Sequence, residues 1–340
     1  MIRNILDKLI NKTDLSIEEA RQTMNEIMQG RVNPSLLSGI LIALKAKGES
    51  PEEIAGFAQA MRRNSIKVNY ENDDAIDLCG TGGDKSGTFN ISTATAFVVA
   101  ATGVKVAKHG NRSISSKSGS ADVLSELGVN INLPSGVSAA ALNEIGITFL
   151  FAPQYHPAMK HAAQVRKDLK MKTIFNLLGP LTNPANVKKQ MIGTFSNDAV
   201  KLLARAAIHL DFESVSFICA GDKYDEIILD QKTKFYKIEN ATITEGEIKA
   251  SDFDYPEIGI DKIQGGSATD NAKIILDVFR NAAQNGAFHT ICANAAFALN
   301  SVGYSDDIVK CKMAAEESIQ SGAAYEKLNQ LIEFGRKYSQ

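Results

Sequence analysis

The sequence predicts an α/β protein in which a small N-terminal helical domain precedes a larger α/β domain, whose mostly parallel central sheet is flanked by helices. Three observations predict this. The first 65 or so residues carry helical spacing with well-formed helix starts. From residue 75 onward, short apolar runs alternate with helical stretches, the pattern of a parallel sheet. Two of these runs pass directly into loops rich in glycine, hydroxyls or cations. The expected division is a helical domain over 1–70, joined by part of 170–190, and an α/β domain over 71–340.

The helical starts are local chemistry. Ser16-Ile-Glu-Glu19 and Ser50-Pro-Glu-Glu53 are capping boxes, and Asn33-Pro34 sets a cap before proline at the first helical position. Leu37, Ile40, Leu41 and Leu44 recur at helical spacing, as do Ile54, Phe57, Ala58 and Met61. Ala75–Cys79, Val104–Ala107, Ile147–Phe151 and Val215–Cys219 read as strands, with helices at Ser92–Thr102 and Ser120–Leu127. Segments near 270–283, 286–299, 306–320 and 323–337 read as helices again.

Composition narrows the function. With 340 residues, 44% apolar and 22% charged, the chain can bury a large core. Its 37 Lys and Arg against 39 Asp and Glu give a formal net charge of −2, so no diffuse basic field gathers nucleic acid and an anion site has to be built locally. Met1–Ile10 alternates charged and apolar residues at helical spacing, unlike a signal peptide, and no run approaches the roughly 18 apolar residues of a membrane span. Cys79, Cys219, Cys292 and Cys311 are scattered, without a C-x-x-C pair, and read as reduced thiols. A cytoplasmic protein without a membrane partner is expected.

The first loop, Asp77-Leu-Cys-Gly-Thr-Gly-Gly-Asp84 continuing to Thr93, lies between a strand and a helix. Gly80, Gly82 and Gly83 allow backbone to approach an anion. Asn90, Ser92 and Thr93 fall at the next helix N-terminus, where free N–H groups and the dipole favour negative charge. A pyrophosphate cradle fits, and so does an ordinary strand-to-helix turn; neither G-x-x-x-x-G-K-[S/T] nor G-x-G-x-x-G is present. The second loop, Lys108-His-Gly-Asn-Arg-Ser-Ile-Ser-Ser-Lys-Ser-Gly-Ser120, adds cations and hydroxyls. Two such loops after strands fit one site at the carboxyl edge of a sheet.

Together these loops, with Phe151-Ala-Pro-x-x-His-Pro-Ala-Met-Lys160, Arg166, the segment Thr173–Ala185 and Asp225-Glu226, resemble the anthranilate phosphoribosyltransferase family across nearly the whole chain. The resemblance implies transfer of a phosphoribosyl group from phosphoribosyl pyrophosphate to anthranilate. It implies donor contacts from Gly80, Gly83, Asp84, Thr88, Asn90, Ile91, Ser92, Thr93, Lys108, His109, Gly110, Asn111, Arg112, Ser113, Ile114, Ser115, Ser116 and Ser120. Gly80, Asn111 and Arg166 would contact anthranilate, Arg166 through the two-pronged grip of a guanidinium on a carboxylate. His109 and His156 either line the acceptor side or are structural. Ser92, Asp225 and Glu226 would hold Mg²⁺, although Asp225-Glu226 alone reads as an exposed turn. A homodimer through the N-terminal helices is also implied.

Several positions depart from the family pattern. Lys170 and Lys172 stand where a glycine and an arginine are usual, and Lys223-Tyr224 replaces the common Gly-Leu before the carboxylates. The nearest rival activity is a pyrimidine nucleoside phosphorylase. A non-catalytic nucleic-acid-binding relative would need a basic surface, which the net charge of −2 does not supply.

Overall fold

The structure, a computed structural model, describes residues 2–72, 74–82, 86–113, 117–280 and 285–338. Four helices open it: α1 (Ile2–Ile10), α2 (Ile17–Met28), α3 (Pro34–Lys47) and α4 (Pro51–Arg63). Their starts form as the sequence implies. Ser16 and Ser50 each accept from the N–H three residues on, and Glu19 and Glu53 return the bond to the cap backbone. Asn33 caps α3 ahead of Pro34. Gly56 lets α4 press against α2, since a Cβ there would overlap the Ile17 carbonyl.

Among the described residues, seven strands form one sheet: β1 (Ile76–Gly80), β2 (Val106–Gly110), β3 (Ile147–Phe151), β4 (Lys189–Gly193), β5 (Ser214–Ala220), β6 (Thr233–Glu239) and β7 (Thr242–Ile248), in the order β3-β2-β1-β4-β5-β6-β7. The first five run parallel, and β6 and β7 extend the edge antiparallel. The expected architecture is therefore present. Three strands escaped the sequence reading. β4 opens with Lys189 and Gln190, which disguise a central strand; Gln190 is buried because its amide donates to Asp77 and to the Pro180 carbonyl. β6 and β7 expose many of their side chains, and their two-residue turn, Asn240-Ala241, takes positive φ at both positions (49° and 60°).

Helices fill the crossovers. α5 (Ile91–Ala101) follows β1, and α6 (Ser120–Glu126) and α7 (Ser135–Glu144) follow β2. α8 (Ala152–Tyr155), α9 (Lys160–Leu169) and α10 (Phe175–Leu178) join β3 to β4, α11 (Asn197–Ala207) joins β4 to β5, and α12 (Ala268–Phe279), α13 (Gly286–Ser301), α14 (Ile308–Gln320) and α15 (Ala323–Lys337) close the chain.

Alternation along the strands sends side chains to two faces. Ile76, Leu78, Val106, Phe149, Met191 and Ile218 enter one core with α5 and α12–α15. Ile192, Val215, Phe217 and Cys219 enter another, shared with α11, the four N-terminal helices, and Ile174, Phe175, Leu177, Leu178 and Leu181. Strand order reverses between β1 and β4, which opens a crevice at their carboxyl ends. Among the described residues, no helix is long and apolar enough to cross a membrane, and all four cysteines are free thiols.

Candidate active site

β1 and β4 end at Gly80 and Gly193, which are paired in register. The chain leaving β5 turns back over both. Gly221 and Asp222 take positive φ (56° and 55°), the Ala220 N–H donates to the Tyr224 carbonyl at 2.9 Å, and Asp225 is carried across the sheet edge. A Cβ on Gly193 would overlap the Asp225 carbonyl, and one on Gly80 would lie 2.6 Å from Asp225 Oδ2. The Asp225 carboxylate accepts from the Gly82 N–H at 3.2 Å, and Glu226 accepts from the Ser92 N–H at 3.0 Å. Both acids are thereby tied to the first loop and to the N-terminus of α5, where the helix dipole favours negative charge. Asp225, Glu226, Ser92, Cys79 and Thr95 line a shared recess.

Lys108 reaches this place from β2. Its Nζ donates to the Leu78 carbonyl and, at 3.3 Å, to Ser92 Oγ. Burial pushes the pKa of its ammonium down, and the buried Asp77 carboxylate opposes that shift. Burial pushes the Asp77 pKa up, against the pull of Lys108. Asp77 accepts from the His109 N–H (3.0 Å), Asn183 Nδ2 (2.8 Å) and Gln190 Nε2 (3.1 Å), so one carboxylate joins β1, β2, β4 and the connection before β4.

The second loop is stapled by Asp122. That carboxylate accepts from the Ser113 N–H (3.1 Å), the Gly119 N–H (2.9 Å) and Arg112 Nη1 (2.8 Å). Burial works to raise its pKa, but these donors hold it below the usual carboxylate range. Ser120 Oγ donates to the Asn111 carbonyl at 3.3 Å, and Gly110 leaves room for that hydroxyl. The two loops meet at Asn90, whose Nδ2 donates to the Ser118 carbonyl at 3.3 Å while its Oδ1 accepts from Asn271 at 2.9 Å. Thr88 bonds Ser86 side chain to side chain at 2.9 Å, and its backbone bridges Gln264. Ile91 and Thr93 are buried in the first turn of α5. Gly83, Asp84, Ile114, Ser115 and Ser116 lie outside the described residues.

His109 and His156 are buried with ring centroids 5.3 Å apart, and among the described residues neither Nε2 has a hydrogen-bond partner. Burial pushes the His109 pKa down to about 3; the neighbouring His156 adds to this, and the Gly179 backbone opposes it. Burial pushes His156 down to about 4, opposed by the Thr182 backbone. Arg166 stands apart, in the last turn of α9, with its guanidinium 5.0 Å from the centre of the Phe175 ring. Among the described residues, no hydrogen bond or ion pair joins it to either loop, and burial pushes its pKa down.

Thus the structure gathers both loops, Lys108 and the two acids at one edge, sets the histidine pair at the end of β2, and leaves Arg166 on a neighbouring helix. Asp77, Asp122, Asn183 and Gly193 join the site although the sequence reading gave them no role. Asp77 and Asp122 did leave a signal, since they bracket the two loop motifs.

The helical segment matches a family model described as glycosyl transferase family, helical bundle domain, over residues 3–65, and the rest matches the a/b domain of the same family over 72–325. An anthranilate phosphoribosyltransferase of Thermoanaerobacter sp. (strain X514) is 43% identical over 338 residues, 99% of both chains. The chain belongs to the anthranilate phosphoribosyltransferase family. The anthranilate phosphoribosyltransferase structure from Thermus thermophilus superposes with a TM-score of 0.91 at 34% identity, covering 98% of this chain and 99% of that one. The Saccharomyces cerevisiae anthranilate phosphoribosyltransferase in complex with PRPP and Mg also gives 0.91, at 26% identity, covering 99% and 98%. Its complex with 4-fluoroanthranilate gives 0.89, at 26% identity and with the same coverage.

Against the anthranilate phosphoribosyltransferase pattern, the departures have physical consequences. Lys170, where a glycine is usual, caps α9 in the left-handed region (φ 49°), a conformation that costs a side chain more than glycine. Lys172 sets its ammonium 3.6 Å from the centre of the Phe195 ring, a cation–π contact that a lysine makes without arginine's planar fork. Lys223 donates to the Tyr224 hydroxyl at 3.3 Å.

Proposed function

We propose that the protein transfers the phosphoribosyl group of phosphoribosyl pyrophosphate to anthranilate, releasing pyrophosphate and N-(5-phosphoribosyl)anthranilate, the second step of tryptophan biosynthesis from chorismate. The observation that carries this reading is the convergence of Lys108, Ser92, Asp225 and Glu226 on one helix N-terminus beside two hydroxyl-rich loops. Such an arrangement suits a diphosphate paired with a divalent ion.

Asp225, Glu226 and the Ser92 hydroxyl would hold Mg²⁺: they are hard oxygen donors, and two carboxylates leave coordination positions for water and phosphate oxygens. When bound, the ion neutralises charge on the departing diphosphate. Gly80, Gly83, Asp84, Thr88, Asn90 to Thr93, Lys108 to Ser116 and Ser120 would contact the donor. Lys108 would neutralise charge that develops on the leaving group, and its fixed position costs no reorganisation as the bond breaks. The first N–H groups of α5 are already taken, Ile91 by the Phe89 carbonyl, Ser92 by Glu226 and Thr93 by the Asn90 carbonyl. Anthranilate's amine is neutral near pH 7 and carries its own lone pair, so attack on the ribose C1 needs no covalent enzyme nucleophile. The work of the protein is alignment and water exclusion.

Arg166 would grip the anthranilate carboxylate, and Gly80 and Asn111 would border the ring. Two neutral imidazoles whose Nε2 atoms have no partner among the described residues support an acceptor site at His109 and His156, because a neutral ring meets an uncharged amine without a charge penalty. We also read the protein as a cytoplasmic homodimer. Ile10 on α1 and Ile42 on α3 are exposed (64% and 47%), which supports pairing through the N-terminal helices, and four free thiols support a reducing compartment.

The test follows anthranilate fluorescence with phosphoribosyl pyrophosphate, with and without Mg²⁺. Loss of the anthranilate signal is expected when donor and metal are both present, and an unchanged signal would overturn the reading.

A further inference from the structure

We infer that Asn294, on α13, is the positioning residue for the Asp225–Glu226 pair: its side-chain amide clamps the Ile227 backbone and so sets where the two carboxylates stand. Asn294 is fully buried. Its Oδ1 accepts from the Ile227 N–H at 3.0 Å, and its Nδ2 donates to the Ile227 carbonyl at 3.0 Å and to the Thr290 carbonyl at 2.9 Å.

The need for the clamp follows from the local fold. Residues 225–229 lie between β5 and β6 and belong to no strand, yet Ile227, Ile228 and Leu229 are each 1% exposed. Burial of those three side chains drags backbone polar groups out of water, and buried backbone groups have to be paired. Asn294 supplies Ile227 with the donor and acceptor that a neighbouring strand would have supplied. The chain is held again at Asp230, whose carboxylate accepts from the Ile260 N–H at 3.0 Å. Asn294 also lines the recess that holds Asp225, Glu226 and Ser92. An apolar residue at 294 would leave both Ile227 groups unpaired, and the segment would have to shift to reach water, taking the adjacent acids with it.

The inference rests on reading Asp225 and Glu226 as the metal holders. Mn²⁺ stands in for Mg²⁺ in the test, with binding followed by electron paramagnetic resonance in the presence of phosphoribosyl pyrophosphate. Asn294→Leu should weaken Mn²⁺ by about 10- to 100-fold, the range seen when groups that orient metal ligands are altered. Anthranilate affinity should hold, because the clamp acts on the acids alone. Thr290→Val, one turn earlier on the same buried helix, should leave Mn²⁺ binding unchanged, which separates positioning from general loosening of α13. Undiminished Mn²⁺ affinity in folded Asn294→Leu would overturn the inference. Hydrogen exchange on the wild-type protein tests the clamp even if that variant does not fold: the Ile227 amide should exchange as slowly as amides of β5, and exchange at the rate of an open loop overturns it. Failure of the wild-type protein to bind Mn²⁺ alongside the donor would instead count against the metal reading, leaving the exchange rate to judge the clamp.

Discussion

Gly80 and Gly193 face each other in the β1–β4 register, and Asp225 occupies the space that their missing side chains leave. The two glycines are not equivalent. A methyl group on Gly193 would overlap the Asp225 backbone carbonyl, whereas one on Gly80 would meet the movable end of its side chain at 2.6 Å. Gly193→Ala should therefore displace the whole turn and cost about 10²-fold in turnover, comparable to losing one electrostatic donor. Gly80→Ala should cost less through Asp225, although it also crowds the substrate side. Steady-state rates with circular dichroism as a fold check decide this, and wild-type turnover in Gly193→Ala would refute the role assigned to the contact.

Arg166→Ala should separate the two substrates. The guanidinium rests on Phe175 and has no bond to either phosphate loop among the described residues. Its loss should weaken anthranilate by about 10- to 100-fold, as expected for a charge-assisted two-pronged contact, and leave donor binding nearly unaltered. Binding titrations showing equal losses for both substrates would contradict the assignment.

The contrast between Arg166 and Gly193 shows which parts of the site were legible in the sequence. Loop chemistry is local: glycines, hydroxyls and a helix start in one short stretch suggest an anion site, and the structure does bring Asn90 against the second loop and Lys108 against Ser92. The capped N-terminal helices were legible for the same reason. Gly193 was not, because its purpose depends on Asp225, which reaches it from the far end of another strand. Asp77 was legible only in part: its place at the head of the first loop motif marks it, but its role as a buried joint depends on Asn183 and Gln190, which arrive from distant segments to satisfy it. The strand β4 was masked by that same partnership, which buries a glutamine where the alternation calls for an apolar residue.

The histidine pair makes stability depend on pH. His109 and His156 have folded pKa values near 3 and 4, below the ordinary 6.5 of an exposed histidine. As pH falls from about 7 toward 4, the unfolded chain takes up protons that the folded protein refuses, so stability is lost on acidification and is fully present above about pH 7. Urea midpoints at pH 7.5 and pH 5 should show the decline. His156→Gln should reduce the dependence on pH, because a residue that does not titrate replaces one of the two groups. An identical pH dependence in that variant would show that His156 does not contribute to the decline.

Replacing Asp225 and Glu226 together by alanine should abolish metal-dependent turnover while leaving the fold intact. Their partners include the backbone N–H groups of Gly82 and Ser92, at the open ends of a loop and a helix where water can replace a carboxylate. The apolar anchors behind them, Ile227 to Leu229, remain buried, and the Ile227 backbone stays paired with Asn294. The thermal midpoint should therefore move by no more than a few degrees, as for substitutions that remove no buried packing. Chelation distinguishes a lost metal site from a dead protein. Wild-type activity should vanish with EDTA and return with added Mg²⁺, whereas the double variant should respond to neither, even at high Mg²⁺. Each single variant should need about 10- to 100-fold more Mg²⁺ for half-maximal rate, because one carboxylate and the Ser92 hydroxyl still provide a partial set of ligands. Full activity in the double variant would move the metal away from this turn, and the contact that Gly80 and Gly193 make room for would then serve the fold alone.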